Sequence, residues 1–204
     1  MKINPNFRYK LVLFCGPSGS GKTTIVHHLM STNPKMRFSI SATTRERRAS
    51  EVDGKDYYFL TPDEFRRRIE KGDFLEWEEV YPDRYYGTLK SEVERILNEG
   101  NIALFDVDVE GGLQIKKHFG RQLLDVFVMP PSVDELHRRL VARATESEDS
   151  LFKRLSKAEK ELHYAFRFNN VIVNTVLEDA KREAELMVNH FLQDEVPDPE
   201  DSTE

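Results

Sequence analysis

The chain has 204 residues, 39% hydrophobic and 32% charged, which is enough apolar material for one well-filled core and too much for a chain disordered throughout. Thirty Lys plus Arg against 36 Asp plus Glu leave a net charge of −6, arguing against an overall electrostatic grip on nucleic acid or an anionic membrane. One cysteine, Cys15, excludes an internal disulfide and a Cys-based zinc site, and no apolar run approaches the ~20 residues that cross a bilayer. The start, MKINPNFRYK, has no apolar signal core, so a reducing, cytoplasmic address is expected.

The elements follow in chain order. LVLFC at residues 11–15 is a short continuous apolar run that stops at a glycine-rich segment, and it predicts a buried strand of a parallel sheet. Residues 23–30 have helical spacing, ended by Asn33 and Pro34. Residues 39–60 alternate hydroxyls, arginines and aromatics, with Asp53-Gly54 as a turn between two extended pieces, and predict an insertion with its own small sheet. Thr61, Pro62 and Glu64 form a helix start with a capping box, and Gly72 is the expected stop.

Residues 101–107 and 124–129 predict two further buried strands. Ser132 and Glu135 form a second capping box, opening a helix toward Ala144, and another helix is expected from 149 or 150 to about 168. VIVN at 171–174 predicts a last strand and residues 177–191 a closing helix. Alternating strands and helices favour a parallel α/β core. The acidic, proline-bearing residues 193–204 have nothing to bury and read as a disordered tail.

The strongest chemical signal is GPSGSGKT at residues 16–23. It satisfies G-x-x-x-x-G-K-S/T, and it stands between a strand and a helix as that motif must. Gly16, Pro17, Ser18, Gly19, Ser20 and Gly21 supply a turning backbone whose N–H groups can converge on phosphate oxygens at a helix start. Lys22 is placed to bridge β- and γ-phosphates, and the Thr23 hydroxyl to offer a hard oxygen to Mg²⁺, with Thr24 following.

A bare phosphate loop leaves the acceptor open. Ser39, Ser41, Thr43, Thr44, Arg45 and Arg48 crowd hydroxyls and guanidinium forks into ten residues and suit a phosphate dianion. Arg139 and Arg143, four apart on one helix, and Arg154 on the next, suit the charge that spreads over a transferring phosphoryl group. Asp106 and Asp108, two apart at a strand end, should point together toward the ligand end of the sheet, one toward Mg²⁺-bound water and one toward the acceptor. Glu76 is a further candidate. Guanine presents N1–H and N2–H donors side by side, which an ionised carboxylate accepts as a pair, whereas adenine has an acceptor at N1. The six histidines have no metal-ligand spacing.

From about Lys10 to His190 the chain resembles the guanylate kinase family. The likeness rests on GPSGSGKTT, SISATTRERRASEVDGKDYYFL, FLEW, YYGT, FDVDVEG, PPSVDEL and RRLVARATES, in that order. The resemblance implies a P-loop NTPase-type parallel sheet flanked by helices (residues 1–38, 90–130 and 157–192), an inserted mixed α/β GMP-binding domain (39–89) and a helical lid (131–156). It implies Mg²⁺-dependent transfer from ATP to GMP or dGMP in purine nucleotide metabolism, with small-molecule substrates, no nucleic acid or membrane partner, and a homo-oligomer left open. It places Ser41, Arg45, Arg48, Glu51, Tyr57 and Tyr86 around the GMP phosphate, and Glu76, Thr88 and Asp108 at the guanine. It puts Asp106 near metal and acceptor, and Arg139, Arg143 and Arg154 in the lid. Three positions depart from the family pattern: Cys15 before the loop, Glu110 after FDVDV, and Ala144 in the lid. Scaffold domains of the same fold typically have degraded phosphate loops; here Lys22 and Thr23 are intact.

Overall fold

The computed structural model describes residues 10–142 and 148–193. Arg143, Ala144 and residues 194–204 of the expected tail therefore lie outside it. The first half runs β1 (Leu11–Cys15), α1 (Lys22–Thr32), β2 (Met36–Phe38), β3 (Ala42–Thr43), β4 (Tyr58–Phe59), α2 (Pro62–Glu70), β5 (Phe74–Tyr81), β6 (Arg84–Leu89) and α3 (Lys90–Asn98). The second half runs β7 (Ile102–Asp106), α4 (Val109–Phe119), β8 (Leu123–Met129), α5 (Val133–Ala142), α6 (Glu148–Leu162), β9 (Asn170–Val173) and α7 (Leu177–Gln193).

The main sheet has the order β2-β7-β1-β8-β9, and every neighbouring pair in it is parallel. Its central strand is apolar at every position because both faces are covered. Leu11, Leu13 and Cys15 pack with Ile96, Ile115 and Phe127 on one side, while Val12 and Phe14 pack with Ile25, Leu29 and Ala184 on the other. Each large side chain buried this way contributes roughly 1.5–3 kcal/mol. This is the expected P-loop NTPase-type core, helices on both faces of a parallel sheet.

A second, mixed sheet of order β4-β3-β6-β5 gathers strands that all lie between residues 42 and 89. It closes on its own cluster, in which Phe65 stacks on Phe74 and Tyr85 with ring centroids 4.3 and 5.2 Å apart. Thr61 caps α2 as read from sequence, its hydroxyl accepting the Glu64 N–H. Likewise the Ser132 hydroxyl accepts the Glu135 N–H at the start of α5. Leu136 and Leu140 of α5 pack with Ala158 of α6.

The Asp53-Gly54 turn forms between two extended pieces as read, with Gly54 at φ +72°, and β3 and β4 on either side of it run parallel. Two details differ from the sequence reading. The helix expected to reach residue 168 ends at Leu162, and the chain then makes a 3-10 turn over Ala165–Arg167. Buried Phe168 drives this, its ring packing on Phe127 at 5.4 Å. Finally β7 stops at Asp106, so Asp108 is not on the strand; it is the N-cap of α4, its Oδ1 accepting the Gly111 N–H at 2.9 Å.

Candidate active site

The phosphate loop joins β1 to α1 through three glycines with positive φ, Gly16, Gly19 and Gly21. Two of them admit no side chain: a Cβ on Gly16 would lie 2.2 Å from the Val128 carbonyl oxygen, and one on Gly21 would lie 2.2 Å from Asn174 Nδ2. Lys22 opens α1 and folds its ammonium back onto the loop, donating to the carbonyls of Gly16 (2.8 Å) and Pro17 (3.2 Å). Thr23 Oγ1 donates to Asp106 Oδ2 at 2.7 Å, which puts two hard oxygens side by side at the loop and suits an octahedral dication that keeps several waters. Ser18 is exposed, Gly19 and Ser20 are buried, and Thr24 is half-buried on α1.

The loop is also tied to the far end of the chain. Asn174, just after β9, donates from Nδ2 to the Ser20 carbonyl at 2.7 Å. Arg139 of α5 is held by Glu135 (2.6 Å) and donates to the carbonyls of Asn174 (2.9 Å) and Ser20 (3.5 Å). Arg154 of α6 reaches Ser18 Oγ at 3.3 Å. The expected pairing of Arg139 with Arg143 falls outside the described residues.

Beside this loop a cavity of about 360 Å³ is lined by Gly16, Ser18, Lys22, Arg154, Lys157 and Glu161, together with Tyr57, Asp106, Val107 and Asp108. A second cavity, about 240 Å³, shares Tyr57, Asp106, Val107, Asp108 and Lys157 with the first and extends to Ser41, Glu76, Glu78 and Tyr86 on the small sheet. The two spaces are contiguous walls of one cleft, cationic on the loop side and acidic on the other.

Glu76 is 6% exposed and accepts the Thr88 hydroxyl at 2.6 Å, Thr88 being its direct partner across β5 and β6. Burial pushes its carboxyl up to about 7, against the opposing hydrogen bond from Thr88. Its uptake of charge is therefore poised for a ligand that brings N–H donors. Glu78, two residues on and on the same face of β5, is also raised to about 7, by a hydrogen bond shared with Asp108, by burial and by the Asp108 charge. Asp108 moves the other way: burial opposes it, and the hydrogen bonds from Glu78 and the Gly111 N–H keep it ionised. Burial likewise raises Glu161 to about 7.

On the remaining side Arg45 makes a bidentate pair with Glu51, at 2.7 and 2.9 Å. That pair pulls the Glu51 carboxyl down to about 2 and the arginine up, so both stay charged. The guanidinium lies over the Tyr57 and Phe59 rings, and Tyr57 meets Tyr86 edge-on at 6.1 Å. Arg48 is exposed; its backbone N–H, rather than its side chain, reaches Glu51 at 2.8 Å.

The residues singled out in the sequence thus gather around one cleft, with two qualifications. Arg45, Arg48, Glu51, Thr88 and Arg139 line neither cavity, nor do Pro17, Gly19, Ser20, Gly21, Thr23 and Thr24 of the loop, whereas Glu78, Lys157 and Glu161 line them without having been singled out. Only their spacing marks them in the sequence. Glu78 is two strand positions from Glu76, and Lys157 and Glu161 fall three and seven residues after Arg154, on its helix face.

The model of the guanylate kinase family matches residues 8–191. A guanylate kinase of Bacteroides thetaiotaomicron is 50% identical over 186 residues, 91% of this chain and 91% of the relative. One from Salinibacter ruber is 50% identical over 182 residues, 89% of this chain and 96% of the relative. Among solved structures, a crystal structure of guanylate kinase from Anaplasma phagocytophilum superposes with a TM-score of 0.70 at 25% identity, covering 91% of this chain and 87% of that one. With half its residues shared across nine-tenths of its length and the same sheet beneath them, the chain belongs to the guanylate kinase family.

Proposed function

We propose that this protein transfers the γ-phosphoryl group of ATP to GMP, and to dGMP, giving ADP and GDP or dGDP in purine nucleotide metabolism in the cytoplasm. The observation that carries this reading is the cleft itself: a phosphate loop with Lys22 opens directly onto a pocket floored by the buried carboxylate of Glu76. ATP would seat its phosphates on residues 16–24. GMP would enter beside the small sheet, its phosphate met by Ser41, Arg45, Arg48, Tyr57 and Tyr86, with Glu51 holding Arg45, and its base by Glu76, Thr88 and Asp108. Residues 39–89 would act as the acceptor-binding unit, 131–156 as the lid, and 1–38, 90–130 and 157–192 as the frame.

A GMP phosphate oxygen attacks the γ-phosphorus in line; the new P–O bond forms as the bond to the β,γ-bridging oxygen breaks, and the electron pair leaves with ADP. No side chain becomes covalently modified. Lys22, Arg154, Arg139 and Arg143 neutralise charge on the transferring group, and closure over it excludes water, the competing acceptor. Thr23 and Asp106 would hold Mg²⁺, Asp106 through water, and the charge supplied there would offset that of the donor's phosphates. Specificity follows from acceptor-only chemistry at Glu76, which matches guanine N1–H and N2–H and opposes adenine N1. A coupled ADP-release assay with GMP, dGMP, AMP, UMP and CMP, with and without Mg²⁺, tests this. Turnover confined to the guanine nucleotides and dependent on Mg²⁺ is the expected result, and AMP accepted as well as GMP would overturn it.

A further inference from the structure

The pocket proposed for the acceptor base holds four carboxylates, Glu76, Glu78, Asp106 and Asp108, and among the described residues that line it the only cation is Lys157. That lysine belongs to neither the small sheet nor the phosphate loop. It stands on α6, and its ammonium lies 3.3 Å from Asp108 Oδ2 and 3.4 Å from Glu78 Oε1, with Glu161, one turn further on, at 3.8 Å. Three separate elements therefore meet at one point: β5, the N-terminus of α4, and α6.

Asp108 is gripped from both sides. Its Oδ1 accepts the Gly111 N–H, which fixes it as a helix cap, and its Oδ2 faces Lys157. Glu78 competes for the same space, and two adjacent carboxylates repel unless a proton or a cation lies between them. An ammonium supplies that cation, and its three donors can serve both acids at once. Among the described residues Lys157 is also the only cation common to this pocket and the cavity beside Lys22 and Arg154, so it couples the acidic half of the cleft to the cationic half.

We propose that Lys157 is a positioning residue for acceptor recognition, holding Asp108 and Glu78 in the arrangement that receives guanine and tying α6 to the acceptor pocket. This rests on the reading of that pocket as the GMP base site. Lys157 need not touch the nucleotide. It acts by aiming Asp108 and by offsetting negative charge that would otherwise repel an incoming dianion.

Steady-state kinetics of Lys157→Met, Glu78→Gln and the double variant, with GMP and ATP varied separately, test the inference. Removing the ammonium should raise KM for GMP about tenfold, the equivalent of one charge-assisted hydrogen bond, with kcat and KM for ATP changing by less than about threefold. Assayed at pH 8, where Glu78 is ionised, Glu78→Gln in the Lys157→Met background should recover most of that loss, because its amide can donate to Asp108 and one negative charge is gone. An unmoved KM for GMP overturns the proposal. So does a fall in kcat at constant KM, which would assign Lys157 to the transferring phosphoryl group, and so does equal loss for both substrates without rescue. Wild-type protein that fails to turn over GMP overturns the proposed function itself, and this inference with it.

Discussion

The two halves of the cleft are built by different means. The phosphate loop is made mostly of backbone: positive-φ glycines, carbonyls that anchor Lys22, and the start of α1 on a parallel sheet. The acceptor side is made of side chains drawn from residues 41 to 157, several of them acids held in partly buried positions. A backbone cradle tolerates little local change and binds any polyphosphate, whereas a side-chain pocket can be retuned residue by residue. Under the proposed function, affinity for the donor and choice of acceptor would be lodged in separate parts of the molecule.

Substitutions that respect this division should separate in kinetics. Lys22→Ala removes the ammonium anchored on the loop itself, and kcat should fall by about 10²–10³-fold or more while the thermal midpoint holds; near-normal ADP release would break the division. Arg45→Ala should act on the acceptor side alone, raising KM for GMP by roughly 10- to 100-fold with KM for ATP little changed. A matching rise in both constants would show the halves to be mechanically fused.

Glu76→Gln sharpens the contrast further. Discrimination between GMP and AMP, measured as relative kcat/KM, should fall about tenfold, since an acceptor-only group becomes part donor. The same change should stabilise the protein at pH 8, on the order of 2 kcal/mol, read as a higher midpoint in denaturant. The sign follows from the raised folded-state value of about 7 against 4.5 when unfolded. Between those values the folded chain holds the extra proton, so stability falls as pH rises through this window, and the full cost stands above 7. Unchanged stability at pH 8 would remove the case for a strained buried acid. The smallest effect is on wild type: KM for GMP should fall several-fold from pH 6 to 8 as Glu76 ionises, with KM for ATP moving less.

How much of this can be read from sequence follows the same contrast. β1 and the loop after it are legible because a doubly covered strand must be apolar throughout and a phosphate cradle needs glycines at fixed spacing. α3 is harder, for its N-cap is Leu89, which offers no side-chain cap to mark a start. β2 is three residues long with only Met36 buried, too short to leave a period. In the site, Glu76 and Asp108 stand out through the chemistry of guanine and the position of Asp108 near a strand end. Glu78 and Lys157 do not, since a Glu in a run of acids and a Lys on a charged helix look like solvated surface until the fold brings α6 against β5. Phe168 shows the same limit for boundaries: nothing local tells that its ring will pack on Phe127 and draw the chain out of its helix.

The contact between Asn174 and the Ser20 carbonyl spans 154 positions of the chain. Its consequence concerns timing. On the ribosome the loop sequence emerges early, but the residue that braces it emerges only when the last strand does, so a nascent chain that has β1 and α1 still lacks the brace. A chain cut short before β9 would keep the glycines of the loop and lose the Asn174 amide that braces them.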